Sequence, residues 1–435
     1  MKIIIVNYRY FISGGPERYL FNIKELLERN GHTVIPFSIK SNHNQPTEYE
    51  EDFMSPIGEG KEVYFREYNK FDIKSMIKSF SRMFYSFEAK RKLDALIRKT
   101  RPDLVYVLHY QNKMSASIFS AVLKNKIPVI HRVSDFGQIC ANGIFYRATK
   151  KDICERCLTG SKFNAVRYKC VHHSYILSAV KASSLQLQKM LGITKRINAF
   201  VVPSKFTISR LNQFGIPAGK LHHIPTFFNF KTIDPQTEIS YEPFALFVGR
   251  VEEEKGLLTL VKAFEGSGHV LKIVGSSSSG YDKVLKQYLE NKQHNIEFLG
   301  QKNFQEIQAY LKTCAFTVMP AEIYDNFPNT VLESYAFKKA VLATNVGSLK
   351  EIVTDNETGV LFPLRDVAAL RQKIDYLFSD KQKCIELGEN AFKKLTSEYS
   401  AENHYQKLMH LFEHTIGNRS DVGTNKIVQG LERVS

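Results

Sequence analysis

Two carboxylates, Asp325 and Glu333, lie in a stretch whose pattern suits the binding of an anion. The apolar run at 315–319 predicts a short buried parallel strand that ends at Pro320. Asp325 then lies on a polar loop, and Asn329 is the predicted N-cap of a helix that carries Glu333. In open α/β sheets, ligands bind beyond the carboxyl ends of the strands, and the free N–H groups at a helix start suit a phosphate. Carboxylates beside such a site indicate that hydroxyls are recognised together with phosphate, as in a nucleotide sugar.

A second group of charges follows another predicted strand. The apolar run at 244–248 leads into Gly249 and Arg250, and Lys255 follows just before Gly256. At the end of a buried strand, two cations can hold a diphosphate and stabilise the charge of a departing group. This segment is therefore a second candidate for phosphate chemistry.

The elements that position these side chains alternate between strand and helix. At 435 residues, 43% of them hydrophobic, the chain is too long for one core of usual size. A strand, a loop with Gly14 and Gly15, a helix and a second strand open the sequence, which predicts a doubly wound α/β domain. The pattern G-x-G-x-x-G is absent, so no dinucleotide fingerprint is predicted. The expected segments are a first domain at 1–225, a linker at 226–241, a second domain at 242–400 and a flexible tail at 417–435.

These motifs resemble those of the large family of retaining glycosyltransferases that includes the group 1 enzymes. Asp325 takes the place of the first Glu in the acidic-x7-Glu motif of that family, and Glu333 is the second acidic residue. The segment 249–256, GRVEEEKG, is similar to the donor motif GRxxxEKG. The segment 346–353 is similar to VGGxxEIV, with Ser348 in place of a glycine. The resemblance covers nearly the whole chain, and it is strong in the second domain and loose in the first.

The resemblance implies the GT-B fold, in which two Rossmann-like, doubly wound α/β domains with parallel sheets face each other across a cleft. The first domain would bind the acceptor, the second would bind the donor, and a helix at 401–415 would cross back to the first. The implied reaction is retaining transfer from a nucleotide-diphosphate sugar to a hydroxyl of a glycan or lipid-linked acceptor, in surface polysaccharide or glycolipid synthesis. No cofactor or metal is expected in catalysis. Two alternatives stay open: a nucleotide-sugar epimerase, and a non-catalytic partner that binds a nucleotide sugar or a glycan.

The resemblance also implies roles for individual residues. Arg250 and Lys255 would hold the diphosphate, and Glu333 would bind the ribose hydroxyls. Asp325 and the Asn326–Phe327 loop would orient the donor sugar, while the glycine loop would lie behind the diphosphate. The predicted catalytic residues are Asp325, Arg250 and Lys255. The predicted donor-binding residues are Gly14, Gly15, Gly249, Arg250, Lys255, Asn326, Phe327 and Glu333.

On the acceptor side, the His–Asp pair that relatives often carry is Ser134–Asp135 in this chain. The imidazole expected beside the acceptor hydroxyl is therefore absent from its usual position. Asp135, His109 and His131 could each substitute for it, although a lone histidine is more often a structural residue. His109 and Asp135 are the acceptor-side candidates.

Four cysteines form the pattern C-x13-C-x2-C-x12-C at Cys140, Cys154, Cys157 and Cys170. Four thiols around a CxxC can form a tetrahedral structural zinc site. Separate, chemically inert thiols are an open alternative, and a disulfide is disfavoured because the compartment is expected to be reducing.

The composition indicates an anionic partner. The chain carries 60 basic and 44 acidic residues, a formal net charge of +16, which suits a nucleotide, an acidic glycan or an anionic membrane surface. It has no recognisable nucleic-acid module, so no nucleic-acid partner is expected. Apolar and basic residues recur at helical spacing over 71–87, which fits either a membrane-interface helix or a helix packed on its own domain. Because no apolar run approaches the roughly 18 residues that span a bilayer, we expect a cytoplasmic protein. The lipid-linked acceptors that the resemblance implies also make association with the inner face of the cell membrane an expectation.

Overall fold

The computed structural model describes residues 1–61, 73–233 and 238–431. The chain forms two six-stranded sheets in which all recorded strand pairs are parallel, and helices flank both sheets. The strands of the first sheet lie between residues 2 and 223, and those of the second lie between residues 244 and 362. Residues 234–237 of the predicted linker lie outside the described ranges.

The first half of the chain supplies the first sheet and a short hairpin. Its strands are β1 (Lys2–Asn7), β2 (Thr33–Phe37), β3 (Leu104–His109), β4 (Val129–Arg132), β5 (Tyr146–Arg147), β6 (Asp152–Ile153), β7 (Ala199–Val202) and β8 (Leu221–His223). Its helices are α1 (Gly15–Arg29), α2 (Ile73–Phe84), α3 (Phe87–Thr100), α4 (Ser117–Lys124), α5 (Arg156–Thr159), α6 (Asn164–Arg167), α7 (Tyr175–Met190), α8 (Ile193–Arg196) and α9 (Lys205–Phe214). The strand order is β2-β1-β3-β4-β7-β8, and β5 pairs with β6 in the hairpin.

The second half supplies the second sheet. Its strands are β9 (Phe244–Val248), β10 (Val270–Val274), β11 (Asn295–Gly300), β12 (Phe316–Met319), β13 (Ala340–Thr344) and β14 (Gly359–Phe362). Its helices are α10 (Leu257–Phe264), α11 (Tyr281–Leu289), α12 (Phe304–Thr313), α13 (Asn329–Ala336), α14 (Leu349–Ile352), α15 (Val367–Ser379), α16 (Lys381–Glu398) and α17 (Ala401–Leu431). The strand order β11-β10-β9-β12-β13-β14 reverses between β9 and β12, which is where doubly wound sheets bind ligands.

The inner strands β3, β4, β7, β9, β12 and β13 are buried on both faces, as in parallel sheets that are covered by helices. Apolar side chains from β1 and β3 pack on each side of the first sheet, into two separate clusters. The last helix joins one of these clusters, because Leu408 and Phe412 of α17 pack with Tyr19 and Tyr106. The final helix therefore returns to the first sheet. It continues to Leu431 through most of the segment expected to be a flexible tail, and the last four residues lie outside the described ranges.

The stretch predicted as one amphipathic segment, 71–87, contains the whole of α2 and the first residue of α3. Its first two residues lie outside the described ranges. The basic side chains that can be described point inward: Lys78 Nζ donates to Ser55 Oγ and to the carbonyl of Pro56, each at 2.6 Å, and Arg82 is buried against Glu88. These contacts fit the alternative of a helix that packs on its own domain. Among the side chains that are described in this stretch, the apolar Ile77, Phe80 and Phe87 are exposed.

Within the described ranges, none of the helices combines the length and the apolar character that crossing a bilayer requires.

Candidate active site

A tight turn after β9 positions the cations of the donor motif. Gly256 has φ +74°, and a Cβ at this position would lie 1.8 Å from the carbonyl oxygen of Pro320. Only a glycine lets the turn adopt this conformation and pack against the end of β12. The turn thereby brings Lys255 to the loop that carries Asp325.

Lys255 and Asp325 form an ion pair within the second domain. Lys255 Nζ lies 2.7 Å from Asp325 Oδ1 and 3.0 Å from Oδ2, and each side chain is 17% exposed. Ser348 Oγ donates to the main-chain carbonyl of Asp325 at 2.5 Å, so the serine that replaces a family glycine anchors this loop. Arg250 is more exposed and lies 3.2 Å from Glu254.

Glu333 is paired across the domain boundary. Its side chain is 9% exposed, and Arg18 Nη1 of α1 lies 2.6 Å from Glu333 Oε1. Burial raises the pKa of Glu333, and the Arg18 guanidinium opposes that rise. The carboxylate predicted to bind ribose hydroxyls is therefore held by a cation of the opposite domain.

The side chain of Asn326 also crosses to the first domain. Its amide Nδ2 donates to the carbonyl of Val133, and its Oδ1 accepts from Thr207 Oγ1, both at 2.8 Å. Asn326 was predicted to help orient the donor sugar. In the structure, the nitrogen and the oxygen of this amide both hold the loop that carries Asp325 against the first domain.

The prediction that Asn329 is the N-cap of α13 is wrong. The helix begins at Asn329, and Pro328 occupies the N-cap position in extended conformation, so no side chain caps the helix start. The Asn329 amide instead lies 2.8 Å from the place that a Cβ on Gly15 would occupy. Gly15 therefore leaves room for the Asn329 side chain where α1 meets α13. The uncapped start of α13 suits an anionic ligand.

These elements enclose a cavity of about 600 Å³ between the two sheets. All of the predicted catalytic and donor-binding residues line it: Gly14, Gly15, Gly249, Arg250, Lys255, Asp325, Asn326, Phe327 and Glu333. Arg18 and Arg132 also line it, and the sequence reasoning did not single them out. Arg18 could have been recognised from the sequence, because it is a basic residue in the first turn of a helix that follows a glycine loop.

The two acceptor-side candidates lie together. His109 Nε2, at the end of β3, is 3.4 Å from Asp135 Oδ2, and Asp135 Oδ1 accepts from the N–H of Gly137 at 2.7 Å. Burial favours a higher pKa for Asp135, but His109, the Gly137 N–H and nearby Lys181 together hold that pKa below its ordinary value. The structure thus forms a His–Asp pair from residues that are distant in sequence. Neither residue lines the 600 Å³ cavity, although Ser134 beside Asp135 does.

His131 is a core residue. It is buried, its Nδ1 lies 2.9 Å from the carbonyl of Val107, and burial lowers its pKa to about 4. An enclosed imidazole that is bound to the main chain is poorly placed to reach an acceptor hydroxyl, which fits the structural alternative for His131.

The four cysteines of the predicted zinc pattern surround one small cavity: Cys140, Cys154, Cys157 and Cys170. All four are free thiols, and none of them forms a disulfide in the structure. Burial raises the pKa of Cys157 to about 11 and that of Cys170 to about 12, which favours protonated thiols. In the part of the chain that is described, no group of three or more His, Cys, Asp or Glu side chains is arranged to hold a metal ion. Zinc binding stays a prediction that metal analysis of the purified protein tests.

Comparison with known families identifies the class of protein. A family model described as Glycosyltransferase Family 4 matches residues 13–231, and one described as Glycosyl transferases group 1 matches residues 229–394. The chain therefore belongs to glycosyltransferase family 4, and it carries a group 1 domain in its second half. The proteins of this family are enzymes.

Its relatives include proteins of archaea and bacteria. An uncharacterised glycosyltransferase of Methanocaldococcus jannaschii, MJ1178, is 33% identical over 159 residues, which are 37% of this chain and 44% of that protein. A 41.2 kDa protein from the cps region of Klebsiella pneumoniae is 24% identical over 309 residues, which are 64% of this chain and 80% of that protein. The chain thus spans less than half the length of the Methanocaldococcus relative.

Solved structures confirm the predicted fold. Sucrose-phosphate synthase from Thermosynechococcus elongatus aligns with a TM-score of 0.69 at 18% identity, over 96% of this chain and 99% of that one. HepE from Anabaena, solved in complex with UDP and glucose, aligns with a TM-score of 0.60 at 15% identity, over 95% of this chain and 99% of that one. The two-domain α/β architecture is the GT-B fold.

Proposed function

We propose that this protein transfers a sugar from a nucleotide-diphosphate sugar to a hydroxyl group of an acceptor, with retention of configuration at the anomeric carbon. The observation that carries the proposal is a cavity between the two domains that is lined by the cations Arg250 and Lys255 and by the carboxylates Asp325 and Glu333. A diphosphate needs cations, and a sugar or ribose needs carboxylate acceptors for its hydroxyls. The complex of HepE with UDP and glucose supports a donor of this class.

Each residue has a role in the proposed reaction. Lys255 and Arg250 bind the diphosphate and stabilise the negative charge that it gains on departure. As Lys255 turns toward the phosphates, Asp325 becomes available to hydroxyls of the donor sugar. Glu333 accepts hydrogen bonds from the ribose hydroxyls.

The proposed bond changes need no protein base. The bond between the anomeric carbon and the diphosphate oxygen breaks, and the acceptor oxygen attacks the face that this group leaves. The acceptor proton passes to an oxygen of the departing diphosphate. Because Arg250 and Lys255 carry the charge stabilisation, we propose that catalysis requires no metal ion or other cofactor.

We propose a glycan or a lipid-linked acceptor in surface polysaccharide or glycolipid synthesis. Named relatives support this class: the capsular polysaccharide glycosyltransferase CapM of Staphylococcus aureus and the O-antigen chain mannosyltransferase C of Escherichia coli are 25% and 24% identical over part of their lengths. The His109–Asp135 pair at the carboxyl ends of β3 and β4 is the proposed acceptor-side contact.

We further propose that the protein works at the inner face of the cell membrane, against anionic lipid. The formal net charge of +16 and the exposed apolar side chains of Ile77, Phe80 and Phe87 support this placement. Co-sedimentation with phosphatidylglycerol vesicles, and not with phosphatidylcholine vesicles, is the expected result. Equal recovery in the supernatant with both would contradict it.

The first experiment is a thermal-unfolding screen against UDP, GDP, ADP and their sugar conjugates. A ligand at 100 times its dissociation constant stabilises the folded state by roughly 2.7 kcal/mol. We expect one nucleotide family to stabilise the protein and Arg250→Ala to reduce the effect, followed by transfer to an added acceptor that EDTA does not inhibit. Stabilisation without transfer to any acceptor would favour a non-catalytic binding partner, and no stabilisation by any nucleotide would refute the donor assignment.

A further inference from the structure

Arg132 is a buried cation in the wall of the cleft. It is the last residue of β4, its exposure is 6%, and it lines the 600 Å³ cavity. Its Nη1 donates to Ser134 Oγ at 3.0 Å and its Nη2 donates to Thr226 Oγ1 at 2.8 Å. The guanidinium carbon lies 3.8 Å from the centre of the Tyr19 ring. All three of these partners are neutral.

Among the described residues, the charge of Arg132 has no acidic partner. Within residues 1–61, 73–233 and 238–431, no carboxylate oxygen lies within the 4.0 Å of an ion pair with its guanidinium. By contrast, Arg82, which is also buried, lies 3.1 Å from Glu88. Arg132 thus combines burial with a charge whose contacts in the described part of the chain are the neutral groups of Ser134, Thr226 and Tyr19.

Two buried lysines of this protein show how a buried lysine differs from a buried arginine. Burial lowers the pKa of Lys162 and of Lys181 to about 8, so these side chains can become neutral. A guanidinium does not lose its proton in this way. A buried charge without a counter-charge is costly, and an anion that enters the cavity would offset that cost.

The side chain is also held ready for a ligand. Tyr19 belongs to α1, Ser134 follows β4, and Thr226 begins the crossing between the domains, so three segments fix the guanidinium. A cation that is fixed in advance and shielded from water stabilises an incoming anion more strongly than a mobile, solvated one. Arg250 and Lys255 line the same cavity from the second domain.

We propose that Arg132 forms a phosphate-binding site on the first-domain wall of the cleft. The proposal rests on the proposed function, which it deepens, because it gives the acceptor-side domain a phosphate contact of its own. Two ligands share the required chemistry: the diphosphate of the donor nucleotide, and the phosphate group of a lipid-linked acceptor. The experiment below separates them.

The test compares the wild-type protein with Arg132→Gln by isothermal titration calorimetry. The probes are UDP, GDP and ADP, the matching nucleoside without phosphate, and geranyl diphosphate as a soluble mimic of a lipid-linked diphosphate. If Arg132 contacts the donor, the nucleoside diphosphate binds Arg132→Gln about 10- to 100-fold more weakly while the nucleoside is unaffected. If it contacts the acceptor, that loss falls on geranyl diphosphate and the nucleotide affinity is unchanged.

Controls keep the result interpretable. Arg29→Gln removes the same charge from the exposed end of α1 and is expected to change no affinity. Arg132→Met keeps the aliphatic stem against Tyr19 and serves if the glutamine variant does not fold. Wild-type affinity of a folded variant for both kinds of diphosphate would overturn the phosphate site and leave the proposed function intact. A wild-type protein that binds no nucleotide, but binds geranyl diphosphate through Arg132, would refute the donor assignment and keep the site; binding of none of the probes would refute both.

Discussion

The two cations of the donor motif have different surroundings, and their removal should therefore differ in effect. Lys255 is 17% exposed and paired with Asp325, whereas Arg250 is 60% exposed beside Glu254. We expect Lys255→Ala to reduce kcat/KM by an amount equivalent to about 2 to 4 kcal/mol, because it removes a partly desolvated cation and leaves Asp325 unpaired. Arg250→Ala should cost less, about 1 to 2 kcal/mol, because water screens an exposed charge.

Steady-state kinetics with the donor identified by the binding screen measures both values. Lys283→Ala removes an exposed lysine outside the cavity and is expected to leave kcat/KM unchanged. Wild-type kinetics in Lys255→Ala would contradict the diphosphate assignment.

We expect Glu333 to make nucleotide binding depend on pH. Burial raises the pKa of Glu333 and the Arg18 guanidinium opposes the rise, while Arg250, Lys255 and Asp325 line the same cavity. The ionised carboxylate accepts hydrogen bonds strongly at both oxygens, and protonation removes its charge and makes one oxygen a donor, so nucleotide affinity should fall as the pH drops through this pKa. Arg18→Gln removes the opposing cation and should move that fall in affinity to higher pH.

Calorimetric titration with the nucleoside diphosphate between pH 5 and 8 measures the shift. In Glu333→Gln the acid-dependent change should disappear together with part of the affinity. Since a carboxylate with a raised folded-state pKa stabilises the fold at low pH and loses this contribution as the pH rises through that pKa, Glu333→Gln should not lower thermal stability at pH 7. Identical pH profiles for the wild type and Arg18→Gln would show that Arg18 does not act on Glu333.

At the scale of elements, one glycine allows the turn before α10 to pack on β12. Gly256 and Gly280 both have positive φ, at +74° and +81°, but only at Gly256 would a Cβ meet backbone, 1.8 Å from the oxygen of Pro320. Gly280→Ala should cost about 1 to 2 kcal/mol of stability for its left-handed conformation. Gly256→Ala carries the same conformational cost and a steric overlap, so it should destabilise the second domain by several kcal/mol more. Urea unfolding of the two variants is the measurement, and equal midpoints would contradict this account of the turn.

The sequence predicted the elements of the second domain well because its signals are local. Around both Arg250 and Asp325, about 20 residues contain an apolar run, a residue that ends a strand and a helical pattern. The observed strands β9 and β12 agree with these apolar runs. The capping prediction failed locally, because Pro328 already holds the extended N-cap position that Asn329 was expected to take.

Pairings between domains could not be predicted in this way. Arg18 and Glu333 lie 315 positions apart, and Asn326 and Thr207 lie 119 positions apart. No periodicity within one segment indicates which face of a distant segment it will meet. His109 and Asp135 were each recognisable as candidates, but their contact depends on the neighbouring positions of β3 and β4 in the sheet.

At the scale of the whole molecule, Glu351 of α14 joins the second domain to the start of α9 in the first. Its two oxygens accept from the N–H groups of Lys205 and Phe206 at 2.8 and 3.0 Å, and His223 Nε2 lies 3.4 Å from Oε1. The N–H groups of Lys205 and Phe206 lie at the start of α9, where N–H groups have no partner within the helix. A carboxylate is favoured at such a position. Burial favours a higher pKa for Glu351, but His223 and the two N–H groups hold it below its ordinary value.

This contact should govern how firmly the two domains are held together. With a lowered pKa, the stabilisation by Glu351 is present above the ordinary carboxyl pKa and is lost as the pH falls through the lowered one. Glu351→Gln removes the charge at any pH and should weaken the interdomain contact by about 1 to 2 kcal/mol. Small-angle X-ray scattering at pH 7 should then give a larger radius of gyration for Glu351→Gln than for the wild type, and acidification should bring the wild type toward the variant. Glu357→Gln, an exposed carboxylate nearby, should match the wild type. If Glu351→Gln and the wild type scatter identically at pH 7, the remaining cross-domain contacts of Arg18 and Asn326 suffice to hold the cleft, and Glu351 is not a determinant of its width.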